Sequence, residues 1–134
     1  MYGALYPNVV ETLIELKNLG YRLFIASNGL KDYVDGVLSS FRINHLFEAI
    51  YSAGEYKTET KKELVNKLLN DFNIKKAVMV GDRSSDVEAG KVNNLFIIGC
   101  NFGFSSNGEL KEADEIITNF KQLIDLVRDK SFYS

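Results

Sequence analysis

Short, uninterrupted apolar runs alternate with amphipathic segments along this chain, and that alternation limits its folding options more than any other feature. Tyr21 to Ala26 runs into Ser27-Asn28-Gly29, and Ala77 to Val80 runs into Gly81-Asp82. Phe47 to Ser52, Leu95 to Ile98 and, more weakly, Glu115 to Thr118 read the same way. A strand that is apolar at successive positions has both faces to bury, so it belongs in a parallel sheet covered on each side. The covering elements lie between the runs. Val9, Leu13, Leu16 and Leu19 keep helical spacing, as do Tyr33, Val34, Val37, Leu38 and Phe41, and then Leu64, Val65, Leu68, Leu69 and Phe72. Ser85 to Val92 forms a short helix opened by a capping pattern, Ser85 to Glu88. Leu123, Leu126 and Val127 mark a last helix capped by Asn119 to Gln122. At the N-terminal side, Asn8 and Glu11 form a capping-box pattern, and Gly20 supplies a left-handed stop.

This order specifies an α/β chain with a three-layer, doubly wound, Rossmann-like parallel sheet. No repeat, low-complexity tract or linker interrupts it, so residues 1–134 read as one domain. Composition narrows the function classes. Sixteen basic against eighteen acidic residues leave a net charge of −2, which argues against nucleic acid as a partner. One cysteine forms no intrachain disulfide and no cysteine-rich metal site, which suits a reducing cytoplasm. No run approaches the ~20 apolar residues needed to cross a membrane.

In sheets of this kind ligands sit beyond the carboxyl ends of the strands, so the residues just past each run are the site candidates. Asp82 stands at the tip of the third run, and Asp86 follows in the first turn of the next helix. Two hard carboxylates four residues apart can face one pocket and suit Mg²⁺, which takes few protein ligands. Each alone also has an ordinary role, Asp82 as a turn residue and Asp86 as a first-turn acid favoured by the helix dipole. Ser27, Asn28 and Gly29 offer a hydroxyl and backbone N–H groups for phosphate oxygens, although the same tripeptide is common turn chemistry. Lys57, Lys61 and Lys62 precede the strongest amphipathic helix and could set one positive charge at the sheet edge; any one of them reads equally as solvated surface.

Taken in order (hydroxyl turn, lysine, Gly-Asp-x-x-x-Asp), these segments resemble the haloacid dehalogenase-like hydrolase superfamily along nearly the whole chain. Leu23 to Asn28 is similar to its second motif, Thr60 to Val65 to the start of the third-motif helix, and Ala77 to Asp86 to the fourth motif. Ala89 to Asn93, Ile98-Gly99, Gly103 and Ala113 to Ile117 continue the pattern of the phosphoglycolate-phosphatase-like branch. The resemblance implies a Mg²⁺-dependent phosphomonoesterase acting on a small phosphorylated metabolite. It makes Asp82 and Asp86 the metal residues and Lys61 the charge-offsetting lysine, with Lys57 as the fallback. Ser27, Asn28, Gly29 and Lys61 become the phosphate grip. In such enzymes an aspartate nucleophile takes the phosphoryl group and a second, two residues on, handles the proton.

The chain departs from that pattern at the nucleophile. Its eight aspartates, Asp32, Asp35, Asp71, Asp82, Asp86, Asp114, Asp125 and Asp129, include no Asp-x-Asp. The expectation is that the first motif, its central strand and the cap are missing, and that this chain alone is inactive. Ser27 has no neighbouring base to make it a substitute, and His45, the single histidine, reads as structural or solvent-facing. The missing strand belongs between the strands ending at Ser27 and Gly81. Those two are therefore expected to pair directly, or to have the gap filled by Met1 to Tyr6 or by a second copy of the chain, giving self-association through the incomplete sheet. The alternative function is a non-catalytic domain that binds a phosphorylated ligand or a protein. A response-regulator receiver is disfavoured, since it needs acidic residues where Ser27-Asn28-Gly29 stands.

Overall fold

The computed structural model describes residues 8–28, 31–53, 60–101 and 108–128. Helix α1 (Val9–Asn18) leads to strand β1 (Phe24–Ser27), then α2 (Lys31–Ser40), a 3-10 turn at Asn44–Leu46 and β2 (Ala49–Ser52). Helix α3 (Lys61–Asp71), β3 (Val78–Gly81), α4 (Ser84–Val92), β4 (Phe96–Cys100), β5 (Glu115–Ile117) and α5 (Gln122–Arg128) follow. All pairings are parallel: β1 with β2, β3 with β4, and β4 with β5.

Alternation along the strands feeds two helical layers. On β1 and β2, Ile25 and Ile50 face α1 and α2, packing with Val9, Leu13, Val34 and Leu38. Their neighbours Phe24, Ala26 and Tyr51 face α3, packing with Leu64 and Leu68. On β3 and β4, Val78, Val80 and Ile98 join Leu16 of α1 and Leu123 and Val127 of α5. Met79 and Ile97 turn the other way, to Val87 of α4. Helices α1, α2 and α5 thus cover one face and α3 and α4 the other, which is why the strand sequences are apolar without a break. Helix α1 serves both halves, giving Val9 and Leu13 to one cluster and Leu16 to the other.

The strands form two sheets, β1-β2 and β3-β4-β5. Direct pairing of β1 with β3, one of the expected ways to close the gap, does not occur. Both keep an edge that no described strand pairs, and all four residues of each are only half-buried, whereas β4 is buried from Ile97 to Cys100. A strand loses solvent through its neighbours as well as through the covering helices, so half-burial is expected at an unpartnered edge. Met1 to Tyr6, the expected filler, lies outside the described residues.

Four helices end in one device. Gly20 (φ 96°), Arg42 (φ 57°), Asn73 (φ 53°) and Asn94 (φ 59°) each take the left-handed conformation just past a helix. Each donates its N–H three residues back, and the next residue, Tyr21, Ile43, Ile74 or Leu95, donates five residues back. This Schellman pairing satisfies the last helix carbonyls and turns the chain toward the sheet. Gly20 is the stop read from the sequence; Asn73 and Asn94 are also residue types that take this conformation, and Arg42 is not.

The expected helix starts hold in part. Gln122 Oε1 accepts from the N–H groups of Thr118 and Asn119, and Asn119 Oδ1 from Lys121 N–H, as the sequence predicts. The Asn8–Glu11 box does not form. Asn8 is itself left-handed (φ 69°), where a capping side chain cannot reach the helix amides, and its Nδ2 donates to Asn119 Oδ1 instead. The box expected from Ser85 to Glu88 is also displaced, because α4 starts two residues earlier, with Arg83 at the N-cap position and Asp86 as its third residue.

Arg42 is the costly member of the four left-handed stops, since a Cβ disfavours that conformation by about 1–2 kcal/mol. Arg42→Gly should raise the urea midpoint by the equivalent of about 0.5–1 kcal/mol at unchanged m-value, after the added freedom of glycine in the unfolded chain is counted. Gly20→Ala, with nothing within 4 Å of the new Cβ, should lower it by a similar amount through backbone strain alone. A midpoint that falls for Arg42→Gly would contradict this account.

Candidate active site

Helix α3 follows Thr60, whose extended backbone and hydroxyl cap its first turn. Glu63 N–H donates to Thr60 Oγ1 at 3.3 Å, and Thr60 Oγ1 donates to Glu63 Oε1 at 3.0 Å. The cap fixes the first turn of α3 and with it Lys61, whose side chain is 15% exposed. The Thr-x-x-Glu signal was present in the sequence as part of a motif, but its capping role shows only here.

Across from it, β3 ends at Gly81 and α4 begins after Arg83. Asp86 is the third residue of α4 and is 4% exposed. Its Oδ2 accepts from Asp82 N–H at 3.0 Å and Arg83 N–H at 3.2 Å, folding the Gly81–Arg83 turn around one carboxylate. Its Oδ1 makes no hydrogen bond to neighbouring backbone or hydroxyls and is met by the Lys61 ammonium as an ion pair. A buried carboxylate persists only when paired and hydrogen-bonded, and here two amides and one cation meet that need. Gly81 makes room for it: a Cβ there would lie 2.2 Å from Asp86 Cβ and 2.3 Å from Asp86 Oδ2.

The sequence-derived candidates therefore separate into groups. Lys61, Asp82 and Asp86 are brought together by α3, the β3 tip and α4. Asn28, just past β1, shares a cavity of about 260 Å³ with Thr60, Lys61, Lys62, Ser85 and Glu88. That cavity puts the carboxyl ends of β1 and β3 on the same side of the molecule. Ser27 closes β1, in register with Ser52 of β2, a fully buried hydroxyl that the sequence reading passed over. Gly29, Lys57 and Gly103 lie outside the described residues. His45 is exposed in the 3-10 turn, away from the site.

The donor set suits a hard cation. Among the described residues no three acidic, histidine or cysteine side chains converge. Among the described residues, protein ligands then number at most two carboxylates, within what Mg²⁺ accepts alongside water and phosphate. Both Asp86 oxygens are engaged by the turn amides and Lys61, so Asp82 is the candidate for direct contact. Negative charge accumulates locally. Cys100, at the end of β4, has its thiol pushed up to about 12, first by burial and then by the Asp82 and Asp86 carboxylates. A cation at the β3 tip would offset that field.

Comparison with known proteins places this geometry. Residues 3–100 match the model of the haloacid dehalogenase-like hydrolases. A phosphoglycolate phosphatase of Haemophilus influenzae is 31% identical over 133 residues, covering 93% of this chain and 58% of the relative. A soluble P-type ATPase-like phosphatase of Methanocaldococcus jannaschii is 29% identical over 126 residues, covering 94% and 44%. The crystal structure of a predicted phosphatase from Clostridium acetobutylicum superposes with a TM-score of 0.85 at 30% identity, covering 92% of this chain and 60% of that one. The chain thus spans 44–60% of the length of these relatives. With its family model matched over most of its length and its parallel α/β layers shared with such structures, the chain belongs to the haloacid dehalogenase-like hydrolase family.

Proposed function

We propose that this chain forms the metal- and phosphate-binding core of a Mg²⁺-dependent phosphatase acting on small phosphate monoesters. The observation that carries the reading is the Lys61–Asp86–Asp82 arrangement at the carboxyl edge of the strands, inside a chain of this family. The phosphoglycolate phosphatases among its relatives support a small phosphorylated metabolite as the substrate class.

Each residue has a separable role. Asp82 would hold the cation directly, and Asp86 would meet it only through ordered water, because its own oxygens organise the turn. When bound, Mg²⁺ neutralises phosphoryl charge as a Lewis acid. Lys61, already desolvated and facing the carboxylates, contributes a second fixed positive charge for the phosphoryl oxygens. The hydroxyl of Ser27 and the backbone beyond it at Asn28 grip phosphate from the β1 side, at the rim of the cavity shared with Lys61. A site whose dipoles and charges are fixed before substrate arrives has little reorganisation left to do in the transition state.

Binding is thereby provided, but bond cleavage needs a nucleophile, and no Asp-x-Asp occurs in these 134 residues. The edges of β1 and β3 that no described strand pairs favour a strand supplied from beyond the described residues or from a second copy, which is also where self-association would occur.

The chain by itself is expected to bind Mg²⁺ and inorganic phosphate by calorimetry while hydrolysing an aryl phosphate no faster than buffer. Asp82→Asn should weaken Mg²⁺ binding roughly tenfold or more, given that one of at most two carboxylates is lost. Mg²⁺-dependent hydrolysis that disappears in Asp82→Asn would overturn the claim that the chain alone is inactive; unchanged Mg²⁺ affinity in that variant would overturn the metal assignment. Gly81→Ala should act on both stability and binding. The added methyl displaces the Asp86 carboxylate from its amides, costing about 1–3 kcal/mol in thermal or urea unfolding and weakening Mg²⁺ binding as the turn opens. A variant as stable as the parent would show that the turn yields without loss.

A further inference from the structure

Helices α3 and α4 meet along a polar seam that the proposed chemistry does not use. At its outer end Lys62 Nζ pairs with Glu88 Oε1 at 2.9 Å, an exposed contact of the kind that contributes little. Deeper in the seam, Asn93, the residue that closes α4, is half-buried and bonded through its whole amide. Its Nδ2 donates to Ala89 O at 2.8 Å and to Lys62 O at 3.2 Å, and its Oδ1 accepts from Asn66 Nδ2 at 3.2 Å. Asn66 is held in turn by Asn70, whose Nδ2 donates to Asn66 Oδ1 at 3.1 Å. The amide can sit only this way round, because two carbonyl oxygens require donors opposite them.

The bonded carbonyls matter for the site. Lys62 O lies one residue from Lys61, in the first turn of α3. Ala89 O lies three residues from Asp86, on the adjacent turn of α4. One side chain therefore joins the turn that carries Lys61 to the turn of α4 next to the one that carries Asp86. The other end of the first turn of α3 is held by Thr60, which caps the helix. Sliding of α3 along α4 would alter the Lys61–Asp86 contact directly, and the bond from the Asn93 side chain to the Lys62 carbonyl opposes it by tying α4 to the first turn of α3.

We infer that Asn93 is a positioning residue for Lys61, setting the ammonium where it meets both Asp86 and an incoming phosphate. This inference rests on the reading of Lys61 as the phosphate-binding lysine. The test measures inorganic phosphate affinity by calorimetry in Mg²⁺ buffer, well below the melting temperature, for the parent, Asn93→Ala, Asn93→Asp, Lys61→Met and the Lys61→Met/Asn93→Ala double variant. Asn93→Ala should weaken phosphate about tenfold, the range found when a group supporting a binding residue is removed. Asn93→Asp, which keeps the shape but sets a carboxylate against two carbonyls, should weaken it at least as much. The double variant should bind no more weakly than Lys61→Met, because the two changes act on one contact. If the Asn93 variants fold poorly, Asn66→Ala, which only releases the amide's orientation, should still give a two- to threefold loss, an intermediate effect within the usual range for coupled neighbours. Parent-like affinity in Asn93→Ala, or in Asn66→Ala where that is the measurable variant, alongside a weakened Lys61→Met overturns the positioning role and leaves the site assignment standing. An Asn93→Ala loss that persists in full on the Lys61→Met background also overturns it. Phosphate binding that is absent in the parent, or unchanged in Lys61→Met, overturns the site assignment and the inference together.

Discussion

The Asp86 carboxylate is the interaction on which the rest of the site depends. Burying a charge costs several kcal/mol unless partners replace its water. Here the replacements are the two amides of the β3–α4 turn and the Lys61 ammonium from a different helix. The same bonds that make the burial tolerable bring the site's three ionic groups together. Asp82 is held because its N–H is bonded, and Lys61 is held because its charge is needed. Gly81 follows from the same constraint, since a larger residue would occupy the space of the carboxylate. A residue that reads in sequence as a candidate metal ligand is thereby, in the folded chain, the organiser of the turn that carries Asp82.

A second constraint acts at the scale of the sheet. Helix α1 packs against both halves, and Leu23 and Phe120 touch both of the clusters beneath it, so the two sheets share one apolar layer without sharing a hydrogen-bonded edge. The half-burial of β1 and β3 falls on the edges that no described strand pairs, and these are the two strands that deliver Ser27 and Asp82. Candidate site residues and incomplete sheet edges thus lie in the same place, which ties any completion of the sheet to the site.

Legibility varied with the range of the interaction. Strand positions and the helical stripes followed from apolar periodicity, and Gly20 and Asn119–Gln122 followed from residue type. Asn8 misled, because a good capping residue was drawn into a left-handed turn and a bond to Asn119, 111 positions away. Arg42 gave no sign of a left-handed stop, since arginine has no preference for that conformation and the apolar Ile43 beyond it decided the turn by burying itself. Asn93 was visible only as part of a motif ending, and its three bonds depend on which helices lie side by side.

Sequence by itself determined the α/β class, the helix and strand order, the family and the identity of Lys61, Asp82 and Asp86 as the residues to examine. Those properties are written in short-range patterns: unbroken apolar runs, period-3.6 apolar spacing between them, and a charged residue at the end of an apolar run. Tertiary structure alone decided that the strands divide into two sheets, that Asp86 turns inward to bind the turn and Lys61, and that Asn93 joins the helices behind them. Each of these depends on where a buried group finds its partner, and burial is a property of the packed chain, not of any segment within it.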